Sequence, residues 1–120
     1  MPETVDAACS DPGLYFDSVS QIHMPTWRRG RVVLIGDAAH CASGLSGRGA
    51  SLALTGSWLL ARALADHAHH ESAFGAYEAQ HRPYVTHAQA SAGPGGDLVV
   101  PATQEALDAR NERLQGLRQV

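Results

Sequence analysis

The chain has 120 residues, 12 acidic and nine basic, a formal charge of −3 and 44% apolar residue types. This is globular composition, enough for one modest core and too little for two ordinary domains, and it excludes collagen-like, low-complexity and strongly disordered classes. The slight acidic excess argues against a nucleic-acid binder. No uncharged apolar run reaches the roughly 18–20 residues a membrane span needs. The acidic start, Met1-Pro2-Glu3-Thr4-Val5-Asp6, carries no signal-peptide pattern, so a cytoplasmic protein is expected. Cys9 and Cys41 form no disulfide framework and no CxxC motif.

Residues 1–13 read as a loose lead-in closed by the turn signal Asp11-Pro12-Gly13. Leu14 to Met24, with aromatic and β-branched residues in imperfect alternation, predicts a strand. After the arginine-rich connector Pro25 to Gly30, Arg31-Val32-Val33-Leu34-Ile35-Gly36 predicts a second strand. Its four consecutive aliphatics suggest cover on both faces, the habit of parallel sheets. From about Arg48 to Asp66 the pattern is helical and apolar all round, which predicts a buried helix, with Gly56 marking the close approach of another backbone. A second helix, about Ser72 to Ser91, buries the stripe Phe74, Tyr77, His81, Tyr84 and Ala88 and is interrupted at Pro83. Ala92 to Asp97 reads as a break, and Pro101 to about Leu117 as a last helix. No internal repeat is present.

Chemistry concentrates between Arg31 and Leu54. Asp37 follows the aliphatic strand directly, and in open α/β sheets ligands bind beyond the carboxyl ends of strands. A carboxylate there accepts hydrogen bonds from sugar or ribityl hydroxyls. Gly36 lets a ligand approach the backbone, and Ala38 leaves room beside it. Gly47 and Gly49 then bare the start of the long helix, whose free N–H groups suit the electron-rich edge of a flat ring. A carboxylate for hydroxyls and a bare helix start for a ring are together what a flavin needs.

Leu14-Tyr15-Phe16-Asp17-Ser18-Val19-Ser20-Gln21-Ile22, Trp27, Gly30 to His40, and Gly47-Arg48-Gly49-Ala50-Ser51-Leu52-Ala53-Leu54 resemble the C-terminal part of FAD-dependent monooxygenases of the aromatic-hydroxylase type, the class of para-hydroxybenzoate hydroxylase and its tetracycline-modifying relatives. The likeness covers roughly residues 14–90. It implies that Asp37 contacts the ribityl or pyrophosphate portion of FAD, and that the Ala50 and Ser51 N–H groups face the pyrimidine edge of the isoalloxazine. The implied site is thus Gly36, Asp37, Ala38, Gly47, Gly49, Ala50 and Ser51, with no residue of this chain assigned a catalytic step. The implied chemistry is reduction of FAD by NAD(P)H, oxygen activation and hydroxylation of a small organic substrate. The chain departs from the pattern at Gly44, where the family usually has proline, and at Arg48, often glutamine or lysine.

The resemblance implies an α/β fold class: a partial FAD-binding, Rossmann-like layer of one or two strands followed mostly by α-helices. Residues 14–92 form the FAD-binding region, and 93–120 a linker and C-terminal helix. The family's N-terminal Gly-x-Gly-x-x-Gly half does not occur here, so a gene fragment, a mis-assigned start or one piece of a split protein is expected. The rival expectation is a non-catalytic helical interaction fragment that has lost FAD binding and pairs with a partner, or with itself, through exposed strand edges. His40 reads as a loop histidine bonded to its own backbone surroundings. His67, His69 and His70 match no zinc spacing and read as a helix junction.

Overall fold

A computed structural model describes residues 2–117. The elements in order are α1 (Pro2–Ser10), β1 (Arg28–Arg29), β2 (Val32–Val33), α2 (Asp37–His40), a single 3-10 turn (Gly44–Ser46), α3 (Gly49–Asp66), α4 (His70–Ala90), α5 (Ala92–Val99) and α6 (Gln104–Leu117). The architecture is mostly helical, with one two-stranded antiparallel sheet pairing Arg28 with Val33 and Arg29 with Val32. Gly30, at φ +56°, makes the tight hairpin turn possible.

The core lies between α3 and α4 and is capped by the hairpin. Leu52, Gly56, Leu59 and Ala63 recur at steps of three and four along α3, and Phe74, Tyr77, His81, Val85 and Ala88 do the same along α4, with Ala73 buried beside Phe74. Trp27, 2% exposed, closes the end of this interface, with its ring 4.8 Å from His40 and 5.7 Å from Tyr77, and the Arg82 guanidinium 4.4 Å from its centroid. Glu78 on α4 accepts hydrogen bonds from the Trp27 N–H, the Thr26 hydroxyl and Arg82, tying the connector to the helix. Burial pushes the Glu78 carboxyl up, but those donors, Arg82 first, hold it below its ordinary value.

Several sequence expectations are corrected. The lead-in contains the helix α1. Leu14 to Met24 forms no strand: Tyr15 and Phe16 are 84% and 91% exposed, and the segment is held only near its end, where the Ile22 N–H donates to the Cys41 carbonyl. An extended segment becomes a strand only when a neighbour pairs with its backbone, and the described residues supply none. The aliphatic run yields two strand residues, antiparallel and not sandwiched, with Val32 61% exposed. The residues read as a break at Ala92 to Asp97 begin α5 instead. Pro94 cannot donate to the Ala90 carbonyl, which separates α5 from α4 without preventing a new helix. The last helix starts at Gln104 rather than Pro101. Tyr84 lies outside the buried stripe, and Val85 takes its place.

The outer side of α3 is open: Leu54, Trp58 and Leu64 are exposed. Gly56 meets a ring rather than a backbone, since a Cβ built there would lie 2.8 Å from His81 Nε2. That ring is fully buried and cannot swing away. Gly56→Ala is therefore expected to lower stability by up to about 2 kcal/mol, an overpacking cost of about 1–3 kcal/mol less the helix-propensity gain of about 1 kcal/mol. A lower urea midpoint checks this, and the loss should vanish in a His81→Ala background.

The radius of gyration is 19.6 Å, against about 14 Å for a closed domain of this length. The helical unit around α3 and α4 is packed, while Val32, Ile35, Leu54 and Trp58 are exposed. Among the described residues, no helix is long and apolar enough to cross a membrane.

Candidate functional site

The site is built where β2 runs out. Gly36, at φ +60°, turns the chain into α2, and its carbonyl accepts from the Ala39 and His40 N–H groups at 3.0 Å. Only glycine adopts this backbone at little cost. Asp37 is thereby the first residue of α2, exposed, with Ala38 exposed beside it. Among the described residues its carboxylate has no hydrogen-bond or ion-pair partner, so its acceptor capacity is available.

Chain reversal through residues 41–48 brings the start of α3 back against this acid. A Cβ at Gly49 would lie 4.0 Å from Asp37 Oδ1, and one at Gly36 would lie 3.7 Å from the Ala53 Cβ. Gly49 and Ala53 are one turn apart on α3, so Gly36 and Asp37 run along the same side of its first turns. Arg48, which precedes the helix, makes no side-chain capping bond. The N–H groups of Gly49, Ala50 and Ser51 are thus left without an intrahelical acceptor, at the positive end of an 18-residue helix. Gly47, at φ +63°, has nothing within 4 Å of a built Cβ.

Gly36, Asp37 and Gly49 come together around one mouth. Ala50 and Ser51 follow Gly49 on α3, Ala38 follows Asp37 and Gly47 precedes Arg48; all four are exposed, and Ser51 also lines a cleft with Pro83, Tyr84 and His87. The mouth offers a hydrogen-bond acceptor at Asp37 and backbone donors at the start of α3. These residues fit a group that carries both hydroxyls and a flat, electron-rich ring, as FAD does.

Two features went unread in the sequence. His40 is buried within α2, not in a loop, and its Nε2 has no hydrogen-bond partner. His81 packs edge-on against it, ring centroids 4.8 Å apart, with neither ring nitrogen bonded. Burial, then the neighbouring His40, lowers His81 to about 4, with the Leu52 backbone working the other way. His40 is lowered by burial as well, opposed by its own backbone and by Asp37. Periodicity places His81 on the buried stripe; no local pattern links it to His40. The second feature is α5, whose glycine-rich start lies against the 3-10 turn.

Comparison with known proteins identifies the family. Residues 17–92 match the FAD binding domain family, and the chain belongs to that family. FAD is the cofactor of its flavin-dependent monooxygenases. The chain is 42% identical over 76 residues to the FAD-dependent monooxygenase asL6 of Sarocladium schorii, covering 62% of this chain and 18% of the relative. It is 40% identical over 86 residues to a flavin-dependent monooxygenase of Legionella longbeachae, covering 71% and 20%. The crystal structure of tetracycline destructase Tet(55) superimposes with a TM-score of 0.74 at 33% identity, over 96% of this chain and 31% of that one. The chain thus spans about a fifth of the length of these curated relatives and a third of the solved structure. The architecture is accordingly a partial α/β FAD-binding region.

Proposed function

We propose that this chain supplies the FAD-contacting C-terminal portion of a flavoprotein monooxygenase, with residues 14–92 as the flavin-binding region, 93–120 as linker and C-terminal helix, and 1–13 as lead-in. The observation that carries this reading is the juxtaposition of the unpartnered Asp37 carboxylate with the uncapped, glycine-flanked start of α3. Asp37 accepts hydrogen bonds from the ribityl or pyrophosphate-linked part of FAD. The N–H groups of Ala50 and Ser51 donate to the pyrimidine edge of the ring, where fixed dipoles favour added negative charge. When bound, FAD supplies two-electron reduction by NAD(P)H and activation of O2 for hydroxylation of a small organic substrate. The chain's own share is to hold and polarise the flavin in a cytoplasmic enzyme.

The same proposal covers the open apolar surface. Val32, Ile35, Leu54 and Trp58 receive a polypeptide that carries the complementary dinucleotide-binding half, whether joined to this chain or separate from it. A second reading, favoured by the 19.6 Å radius of gyration, is an interaction fragment that docks through this surface without flavin.

Titration of the purified chain with FAD separates the two. Quenched flavin fluorescence, and flavin absorbance that travels with the protein through gel filtration, are the expected results. A colourless protein that elutes as a larger species, with flavin fluorescence unchanged, would refute flavin holding by this chain and establish the docking role.

A further inference from the structure

The 3-10 turn Gly44–Ser46 lies between α2 and α3 in the chain, and hydrogen bonds within residues 43–48 fix its local shape but not its position. Gly44 and Gly47 have nothing within 4 Å of a built Cβ, and Gly47 takes a left-handed conformation. Ser43, a non-glycine residue, sits at φ +75°, a conformation that persists only where surroundings impose it. Within the turn, Ser43 accepts from the Leu45 N–H at its hydroxyl, and its carbonyl accepts from both the N–H and the hydroxyl of Ser46.

The remaining constraint comes from far along the chain. A Cβ built on Gly95 of α5 would fall 2.0 Å from the Leu45 carbonyl oxygen and 3.1 Å from its carbonyl carbon. The two backbones are therefore in direct contact, with no space for a methyl group and no flexible side chain that can yield. One residue on, a Cβ at Gly96 would lie 3.1 Å from Leu45 Cδ1, so the Leu45 side chain lies over the same strip of helix. Gly93, two residues before, has nothing within 4 Å. Among the glycines of α5, then, Gly95 is sterically required to be bare, while Gly96 meets only the yielding end of the Leu45 side chain.

We infer that α5 is a clasp on the Gly44–Ser46 turn, and that Gly95 and Gly96 are positioning residues that hold the mouth between Asp37 and the start of α3 in its flavin-accepting shape. The part concerning flavin rests on the function proposed above. The turn runs through Gly47 and Arg48 into α3, so a shift of Leu45 is passed along three residues to Gly49, which faces the Asp37 carboxylate. A residue that touches neither the flavin nor the acid thereby sets the distance between them.

Hydrogen exchange on the full chain tests this without flavin. Gly95→Ala is expected to speed exchange of the amides in residues 43–49 about tenfold, while the α3 and α4 core amides keep their protection. Gly93→Ala carries the same helix-propensity change on the same helix and is expected to alter neither. In parallel, Gly95→Ala is expected to weaken FAD binding about tenfold in the fluorescence titration, with Gly93→Ala at wild-type affinity. Unchanged exchange of residues 43–49 in folded Gly95→Ala overturns the clasp. Faster exchange with unaltered FAD affinity overturns its positioning role. Faster exchange with no flavin uptake by any form, wild type included, sinks the flavin reading and leaves the clasp on the turn standing. If Gly95→Ala does not fold, Gly96→Ala decides. It should speed the same amides, and that gain should be absent when Gly96→Ala is compared with its parent in a Leu45→Ala background; equal gains in both backgrounds overturn the contact.

Discussion

Leucine in place of Gly49 is expected to abolish flavin retention while leaving the fold intact. A Cβ at this position meets only Asp37 Oδ1, at the ordinary contact distance of 4.0 Å, so the backbone accepts the substitution. Helix propensity changes in favour of leucine by up to about 0.8 kcal/mol. The harm comes from where the rest of the side chain lies. Side chains on an α-helix lean toward its N-terminus and cover the turn before their own Cα, so leucine at the first helical position spreads over the mouth itself. It covers the free N–H groups and crowds the acid together. The expected result is an unchanged or higher thermal midpoint with FAD affinity lowered at least about a hundredfold, the loss of one charge-assisted and one or two neutral hydrogen bonds. Asp37→Asn, which keeps the shape and removes the charge, should cost about tenfold in the same titration. A leucine variant that binds FAD like the wild type would show that the flavin does not enter between Asp37 and α3.

The approach of Asp37 to the start of α3 was legible because only a short connection separates them. An acid after an aliphatic run and a Gly-x-Gly before a helix constrain each other through a short connection, and local rules suffice to place them together. Elements that depend on distant neighbours were not legible in the same way. Leu14 to Met24 has the residue types of a strand, but pairing is a property of two segments, and here the second is absent among the described residues. The all-round apolar pattern of α3 says that each face wants cover; it does not say which face this chain itself covers. Leu52 and Leu59 find α4, whereas Leu54 and Trp58 stay exposed. The glycine-rich start of α5 looks like a break because glycine and proline disfavour helices. Its bare side is what allows backbone contact with Leu45, so packing overrides propensity there.

Acid is expected to loosen the core in a window set by the two buried histidines. In the unfolded chain each ring takes up a proton near its ordinary value of 6.5, whereas in the fold His81 does so only near about 4. Between those values the unfolded state binds more protons. The stabilisation is therefore fully present above about pH 7, is lost as pH falls from 6.5 toward 4, and declines no further below that. For His81 alone the full loss is about 3 kcal/mol, and about 2 kcal/mol of it is lost between pH 7 and 5. His40 adds to it in the same direction, with Asp37 opposing and Arg82 reinforcing the shift. A charge on the His81 ring is poorly compensated: Trp27, Tyr77 and the His40 imidazole surround it, and only the Leu52 backbone favours the charged form. Glu78 also stabilises the fold when ionised, but its contribution fades only below its ordinary value of 4.5, so it leaves the upper window to the histidines. Urea midpoints at pH 7.5 and 5.0 measure the effect. His81→Leu, of similar bulk and never charged, should remove most of the difference between the two pH values, whatever its own stability. A pH difference as large in His81→Leu as in the wild type would place the acid-sensitive group elsewhere and would mean that the His81 ring is already charged, or already solvated, in the native fold.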